Sequence, residues 1–164
     1  MYQYRMAKFV NLGRIAEVEL RAQTESLSSL PDANEIDYEA RYDWWVNYFN
    51  RAGDLQEAGI RRVIFVAMIK LNIIGYIAGH LLSQGDIQGE IQSMHILKPQ
   101  QGKGVGKNLL KHLAKWFKSQ RVSSVCVRVS AQNPYKQFYA QHGATRVNDS
   151  WYGWNNIGQL VERL

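Results

Sequence analysis

The chain has 164 residues, of which 46% are hydrophobic, and it carries a formal net charge of +6 and one cysteine. This length fits a single globular domain over residues 1–164. A single cysteine excludes an internal disulfide, and the sequence contains no run of 18 apolar residues that could span a membrane. The lysines and arginines are dispersed, and five of the six between residues 103 and 121 form the solvated face of one predicted helix, so no nucleic-acid partner is predicted.

The first third of the chain reads mainly as helix. A short strand is predicted around residues 5–8, followed by a helix over about residues 13–25 and a loop over residues 26–34. Residues 35–51 predict a second helix with a broad aromatic face, which Gly53 would end.

Strand patterns then replace the helical ones. Residues 63–69 and 73–79 are strongly apolar and predict an antiparallel pair turned at Leu71-Asn72. Residues 90–97 predict a further strand that runs into a glycine-rich segment.

That segment, Gln101-Gly102-Lys103-Gly104-Val105-Gly106, is the most informative one in the chain. Its glycines let backbone N–H groups approach a ligand, and the predicted helix behind it adds unpaired N–H groups, which together favour an anion such as phosphate. A Walker A loop is excluded because Gln101 and Asn108 stand where glycine and a hydroxyl residue are required, and the Gly-x-Gly-x-x-Gly fingerprint does not fit either. An ordinary tight turn is the alternative interpretation.

The remaining elements complete a mixed sheet. After the amphipathic helix, residues 123–130 predict a strand, residues 134–142 a short helix ended by Gly143, and residues 145–147 and 151–154 two closing strands. Two strand–helix–strand passages imply that parallel and antiparallel pairs occur together, which is an α/β (α+β) architecture.

Two motifs within this order resemble one family. The spacing Gln-x-x-Gly-x-Gly at residues 101–106 and the segment from Asn133 through Phe138-Tyr139 to Gly143 resemble the GNAT superfamily of acetyl-CoA-dependent N-acetyltransferases. The resemblance covers residues 60–150 well and the first 55 residues only in element order. It implies the GNAT fold, with a mixed central sheet of six to seven strands and about four helices, and acetyl-CoA as the co-substrate.

The resemblance also assigns residues that bind coenzyme A. The pantetheine arm is expected to pair with the strand at Met94, His95 and Ile96, with an amide of Ile96 or Met94 on the thioester carbonyl. Asn133 matches the family asparagine that reaches the cofactor, although Asn before Pro is also a helix N-cap. The pyrophosphate is expected on the glycine loop and the start of the helix: Gln101, Gly102, Lys103, Gly104, Val105, Gly106 and Lys107.

Two residues are expected to carry the chemistry. Tyr139 matches the family tyrosine that protonates the departing sulfur, with core packing as its alternative role. A protonated amine cannot attack, so a base is needed, and Glu90 is the best candidate; a solvated residue at the start of a strand is the alternative. Strict strand alternation would place Glu90 on the same face as Met94 and Ile96, and His95, the second choice, on the opposite face.

The other reactive residue types do not point to a site. The four histidines have no ligand spacing, so no metal is predicted. Cys126 lies in an apolar strand pattern and is expected to be a packed core thiol. Arg128 stands where ribosomal-protein N-terminal acetylases carry a glutamate base, which argues against an N-terminal peptide as acceptor.

The acceptor itself cannot be identified from the sequence. In the family it lies between the first two helices and the closing strands, and in this chain both regions are aromatic; at least half of these side chains are expected to be core instead. They are Trp44, Trp45, Tyr48, Phe49, Trp151, Tyr152 and Trp154.

The leading hypothesis is therefore an acyltransferase that moves an acetyl group from acetyl-CoA to a primary amine in a ternary complex, with a small molecule as the favoured acceptor. The alternatives are a non-catalytic CoA-binding or regulatory module, a protein acetyltransferase acting on lysine or an N-terminus, and, least favoured, a nucleic-acid-binding domain. No signal-peptide core is visible at the N-terminus, which predicts a cytoplasmic protein, and the sequence leaves a homodimer open.

Overall fold

A computed structural model describes residues 1–27, 37–50, 61–83, 85–130, 133 and 135–164. The loop predicted over residues 26–34 lies almost wholly outside the described residues, as do Gly53 and the outer ends of the second predicted helix.

Seven strands form one sheet in the order β1-β2-β3-β4-β5-β7-β6. Every pair is antiparallel except β4 with β5, which confirms the mixed sheet. The strands are β1 (Tyr2–Met6), β2 (Arg62–Ile69), β3 (Asn72–Leu81), β4 (Gly89–Ile96), β5 (Val125–Arg128), β6 (Thr145–Arg146) and β7 (Trp151–Trp154).

Five helices surround the sheet in the described part of the chain, two of them of only six residues. They are α1 (Leu12–Leu27), α2 (Tyr38–Asn50), α3 (Val105–Ser119), α4 (Lys136–Gln141) and α5 (Gly158–Arg163), with single turns of 3-10 helix at Phe9–Asn11 and Lys98–Gln100.

The two faces of the sheet are covered by different helices. On one face α2 packs through Trp45, whose ring lies 5.1 Å from that of Tyr76 on β3. On the other face α3 packs so closely that a Cβ atom on Gly89 would lie 2.6 Å from the ring of Phe117. These surfaces are called the α1/α2 face and the α3 face.

Helix α3 forms because its sequence separates apolar and charged residues at helical spacing. A stripe of Val105, Leu109, Leu110, Leu113 and Phe117 is fully buried, while most of the lysines lie on the exposed side. The helix ends at Ser119, Gln120 is its C-cap, and Arg121 follows with a left-handed φ of 61°. The stripe anchors the glycine loop in front of the helix to the sheet.

The predicted elements are present, with two differences. The first strand lies at Tyr2–Met6 rather than around residues 5–8, and α5 was not predicted. Helix α5 is only six residues long, and within it only Leu160 is buried, so its apolar pattern is too short to show a period.

Candidate active site

Strands β4 and β5 diverge near the middle of the sheet. They pair only at Gly89–Val125, Glu90–Cys126 and Ile91–Val127, while β4 stays paired with β3 as far as Ile96. Beyond Ile91, within the described residues, β4 therefore has one strand partner, and its other edge borders a gap.

Two residues of β4 present their backbone groups to this gap. The Leu97 N–H donates to the Ile74 carbonyl at 2.9 Å, so this residue pair belongs to the hydrogen-bonded set of the β3–β4 ladder. Antiparallel pairs alternate, so the amides of Met94 and Ile96 point away from β3. The Ile96 carbonyl accepts a hydrogen bond from Gln101 Nε2 at 2.9 Å, which agrees with that direction.

The glycine loop continues from the same end of β4. Gly102 and Gly104 have left-handed φ values of +71° and +79°, and a Cβ atom on Gly102 would meet nothing within 4 Å. Gly104 precedes α3, and the first helical hydrogen bond runs from the Asn108 N–H to its carbonyl at 3.1 Å. Among the described residues, the backbone N–H groups of residues 102–107 have no acceptor in the chain.

These unbonded amides make the loop a cradle for an anion. Residues 102–104 are exposed, and so is Lys107 in the first turn of α3. Val105 and Gly106 are buried, and Gly106 packs so closely on β4 that a Cβ atom there would lie 3.1 Å from the Ile96 side chain. The loop is therefore packed against β4 on one side and exposed to solvent on the other.

A chain of hydrogen bonds joins the loop to the segment before α4. The Tyr135 hydroxyl donates to Gln101 Oε1 at 2.7 Å, so the Gln101 carboxamide connects Tyr135 to the end of β4. Asn133 Oδ1 accepts from the Tyr135 N–H at 2.8 Å, and the Asn133 N–H donates to the Ser130 carbonyl at 2.9 Å. Asn133 therefore stabilises the turn before α4, but the N-cap of that helix is Tyr135, so the expected N-cap role of Asn133 is wrong.

Tyr139 is carried by α4 and is buried. Its ring lies edge-on to Phe138, whose own ring reaches Gly106, and to Trp154 on β7. Burial raises the pKa of the Tyr139 phenol, so the hydroxyl keeps its proton. Its hydroxyl makes no hydrogen bond to any residue that the structure describes.

Glu90 does not lie on the same face as Met94 and Ile96, so the prediction from strict alternation is wrong. Ala78 pairs with Ser93 and Gly79 with Ile91, which leaves Gln92 without a partner on β3. This bulge adds one residue to β4 and reverses the order of its side chains.

The bulge brings Glu90 and His95 to the α1/α2 face and leaves Ile96 on the α3 face. Glu90 Oε2 lies 3.4 Å from His80 Nε2. The His95 Nδ1 atom lies 2.8 Å from the Tyr76 hydroxyl, which is also 3.1 Å from Ser93 Oγ. Desolvation lowers the pKa of His95.

A buried carboxylate beside this cluster was missed from the sequence. Glu19 on α1 is 1% exposed; its Oε2 accepts from Trp45 Nε1 and Arg41 Nε at 2.7 Å each, and a second Arg41 nitrogen bonds its Oε1. The available signal was a charged residue four positions after Ile15 in the apolar stripe of α1.

The seven aromatic residues differ in burial. Trp45, Tyr48 and Trp154 are buried, and Trp44 and Tyr152 are partly buried and pack against the core, so at least half of the set belongs to the core as expected. Trp44 is partly buried and stacks on Tyr48 with ring centroids 5.4 Å apart. Phe49 is exposed, and Trp151 and Tyr152 are partly buried on β7.

Neither a metal site nor a membrane span is present in the described ranges. No three His, Cys, Asp or Glu side chains there are placed to hold a metal ion. No helix there is long and apolar enough to cross a bilayer. Cys126 is buried, and burial raises the pKa of its thiol to about 11, as suits a packed thiol.

Comparison with known proteins agrees with this geometry. The sequence model of the acetyltransferase (GNAT) family matches residues 20–144. No curated protein sequence is significantly similar to the chain.

Many solved structures share the fold. An acetyltransferase from Thermus thermophilus has a TM-score of 0.71 at 18% identity, with 93% of this chain and 96% of that one covered. The PaiA N-acetyltransferase of Thermoplasma acidophilum, solved with coenzyme A, has a TM-score of 0.69 at 16% identity, covering 94% and 98%. The ribosomal-protein-S18-alanine N-acetyltransferase of Escherichia coli has a TM-score of 0.67 at 14% identity, covering 94% and 93%.

Proposed function

The chain belongs to the GNAT family of acetyltransferases, and we propose that it transfers an acetyl group from acetyl-CoA to the primary amine of a small molecule within a ternary complex. The observation that carries the proposal is the continuity of two sets of donors. The gap-facing amides of Met94 and Ile96 lead directly into the unbonded amides of residues 102–107.

The residues present fit coenzyme A. Its diphosphate needs several converging N–H donors, and residues 102–107 offer them at an exposed helix start, with Lys103 and Lys107 beside them. Its pantetheine arm carries amides that can pair with the free edge of β4 at Met94 and Ile96. Asn133 holds the backbone of Tyr135, whose hydroxyl bonds Gln101 at the start of the loop.

When bound, acetyl-CoA supplies an activated thioester, and the chain supplies orientation and proton transfer. In this assignment the Ile96 or Met94 N–H donates to the carbonyl oxygen as negative charge develops there. Tyr139, protonated and without a partner among the described residues, donates its proton to the departing sulfur.

Glu90 is assigned the role of base. The bulge turns its carboxylate to the α1/α2 face, while α3 and the glycine loop bind the nucleotide end on the other side. An amine entering from the α1/α2 face would therefore meet Glu90 before it reaches the gap. Glu90 would take the ammonium proton through a water molecule, so that the neutral amine can attack.

The residue at position 128 argues against an N-terminal peptide as the acceptor. Arg128 is exposed on β5, where ribosomal-protein N-terminal acetylases carry a glutamate base. A guanidinium cannot accept a proton from an N-terminal ammonium. Similarity to the Escherichia coli enzyme is limited to the fold at 14% identity.

The test is acetyl-CoA turnover with a panel of amines, read as release of free thiol. The panel should contain small primary amines, lysine peptides and N-terminal peptides, each with the wild type and with Glu90→Gln and Tyr139→Phe. Turnover of small amines that falls about 100-fold or more in Glu90→Gln supports the proposal. Tight acetyl-CoA binding without turnover of any amine would instead identify a binding module.

A further inference from the structure

Glu90 lies in a row of charged and polar side chains that crosses three strands. Arg62 on β2 pairs with His80 on β3, and His80 pairs with Glu90 on β4. His80 thus stands directly beside the carboxylate, with its Nε2 atom 3.4 Å from Glu90 Oε2.

Helix α2 covers this row of side chains and contacts it through Tyr48. The Tyr48 hydroxyl lies 3.1 Å from His80 Nδ1, and Tyr48 is itself buried. Each ring nitrogen of His80 therefore has a polar neighbour, the phenol of α2 at Nδ1 and, at the longer distance, the carboxylate of β4 at Nε2.

The contacts determine where the hydrogen on the ring lies. A neutral ring with its hydrogen on Nδ1 would direct the Nε2 lone pair at a carboxylate oxygen, which is repulsive. With the Tyr48 O–H donating to Nδ1, the hydrogen lies on Nε2 and points toward Glu90. A protonated ring also carries a hydrogen on Nε2, so both charge states direct a donor toward the carboxylate.

We propose that His80, oriented by Tyr48, is a positioning residue that holds one carboxylate oxygen of Glu90 and leaves the other free for the acceptor amine or its water. This inference rests on the proposed role of Glu90 as base. An Nε2–H donor favours the ionised carboxylate, which is the form able to take a proton.

Two further groups, one charged and one neutral, belong to the surroundings of Glu90. The Arg62 guanidinium lies over the Tyr48 ring, 5.2 Å from its centroid, and adds positive charge to the row. On β5, Cys126 pairs with Glu90, but its buried thiol is neutral at ordinary pH and offers only a weak donor. His80 is therefore the cationic or N–H partner in direct contact with the carboxylate.

Three substitutions separate positioning from a general structural role. His80→Leu removes the donor, His80→Gln keeps an amide N–H at the same distance along the side chain, and Tyr48→Phe removes the group that fixes the ring. His112→Leu is the matched control, because this partly buried histidine lies on α3 against Tyr4 and Phe65, on the other face of the sheet.

Each variant is assayed for kcat and KM with the best amine and for acetyl-CoA affinity by calorimetry. We expect His80→Leu to lower kcat about tenfold, with unchanged acetyl-CoA affinity. His80→Gln should restore most of the rate, and the rate of Tyr48→Phe should lie between those of the two His80 variants.

The outcomes distinguish this inference from the proposed function. Wild-type kcat in His80→Leu, with Glu90→Gln impaired, would overturn the role of His80 and leave Glu90 as base. Equal loss in His80→Gln and His80→Leu would overturn the donor role. Unchanged rates in Glu90→Gln would remove the base on which the inference depends, and if His80→Leu does not fold, wild-type behaviour of Tyr48→Phe overturns the inference.

Discussion

At the scale of single residues, the buried carboxylate of Glu19 connects helix packing to the acceptor side of the sheet. Taking a carboxylate out of water is costly unless charged and N–H donors replace the solvent. Arg41 and Trp45, both on α2, supply those donors, and the hydrogen bonds to Glu19 raise the pKa of Arg41. Glu19 therefore holds α2 in the position from which Tyr48 reaches His80.

Replacing Glu19 by Gln should destabilise the fold by about 3 kcal/mol, because the half-buried Arg41 guanidinium loses its counter-charge. Urea unfolding measures the change. Glu17→Gln is the matched control: this residue is 47% exposed on the same helix, forms a surface pair with Arg14, and should cost less than about 0.5 kcal/mol. Equal stabilities of the two variants would show that the buried ion pair contributes nothing net.

Tyr139 allows a chemical role to be separated from a packing role. Its ring is packed against Phe138 and Trp154, but its hydroxyl bonds to none of the described residues. Tyr139→Phe should therefore keep the stability within about 0.5 kcal/mol while kcat falls about 100-fold. Thermal unfolding and steady-state kinetics test the two halves; an unchanged kcat would assign Tyr139 to the core alone.

At the scale of elements, the sequence predicted which segments form strands and helices better than it predicted which way side chains point. The apolar stripe of α3 and the glycine loop follow from local periodicity and backbone freedom, so both were predicted. The bulge at Gln92 was not predicted, because it depends on the register of β4 against β3. That register is a tertiary property, and no residue within Glu90–Leu97 indicates it. The sequence thus proposed Glu90 as the base, which stays a prediction, and placed its side chain on the wrong face.

The same limit applies to His80 and Glu19. The sequence alone does not show the partners of a single histidine at the end of a strand or of a single glutamate in a helix. Those partners come close only in the folded chain. His80 meets Tyr48 from a helix 32 residues earlier in the chain, and Glu19 meets Trp45 across 26 residues. Only the spacing of Glu19 within an apolar stripe could have signalled a buried charge.

The glycine loop permits a matched test of anion binding. Gly102 and Gly85 both have positive φ, +71° and +90°, and a Cβ atom on either would meet nothing within 4 Å. An alanine should therefore cost each about 1 kcal/mol of stability through its backbone conformation. Only Gly102→Ala should weaken acetyl-CoA binding, by tenfold or more, because its methyl group would project toward the expected phosphate.

Calorimetric titration with acetyl-CoA and thermal unfolding of both variants decide the result. Equal affinity of Gly102→Ala and Gly85→Ala would place the diphosphate elsewhere than on this loop. Loss of binding in both would point to a general effect on the fold.

At the scale of the whole molecule, the sheet separates two binding functions. In the proposed arrangement α3 and its loop hold the nucleotide on one face, and α1 with α2 line the other face, where the acceptor enters. Among the described residues, β4 with β5 is the only parallel pair; it lies at the centre of the sheet, and the gap that opens after Ile91 joins the two sides. The residues assigned to the nucleotide thus lie close together in sequence, whereas those assigned to the acceptor side come from four separate elements.

This division explains why the sequence assigns residues to the cofactor but none with the same definition to the acceptor. A loop and a helix start form a local anion site, which glycine spacing and the helical pattern indicate. The acceptor side is built from α1, α2, β3 and β4, so its shape depends on packing between distant segments. Acceptor identity must therefore be measured.

Two histidines with lowered pKa values make the free energy of unfolding depend on pH. Desolvation lowers the pKa of His95, where the ring also contacts Tyr76, and lowers that of His112 on α3. The unfolded chain then binds more protons than the folded one below the ordinary value of 6.5, so the free energy of unfolding falls as pH decreases through that region. Above it both states hold neutral rings, and these two groups contribute no slope.

We therefore expect the thermal midpoint to fall between about pH 7.5 and about pH 5.5, and His95→Asn to reduce that fall. Asparagine keeps an acceptor for the Tyr76 hydroxyl but cannot take up a proton, so it removes the titration while keeping the hydrogen bond. His112→Gln should remove a separate part of the fall, and the double variant should show the sum, since the two rings lie on opposite faces of the sheet. A midpoint in His95→Asn that falls as steeply as that of the wild type would mean that the His95 ring already accepts its proton in the folded state.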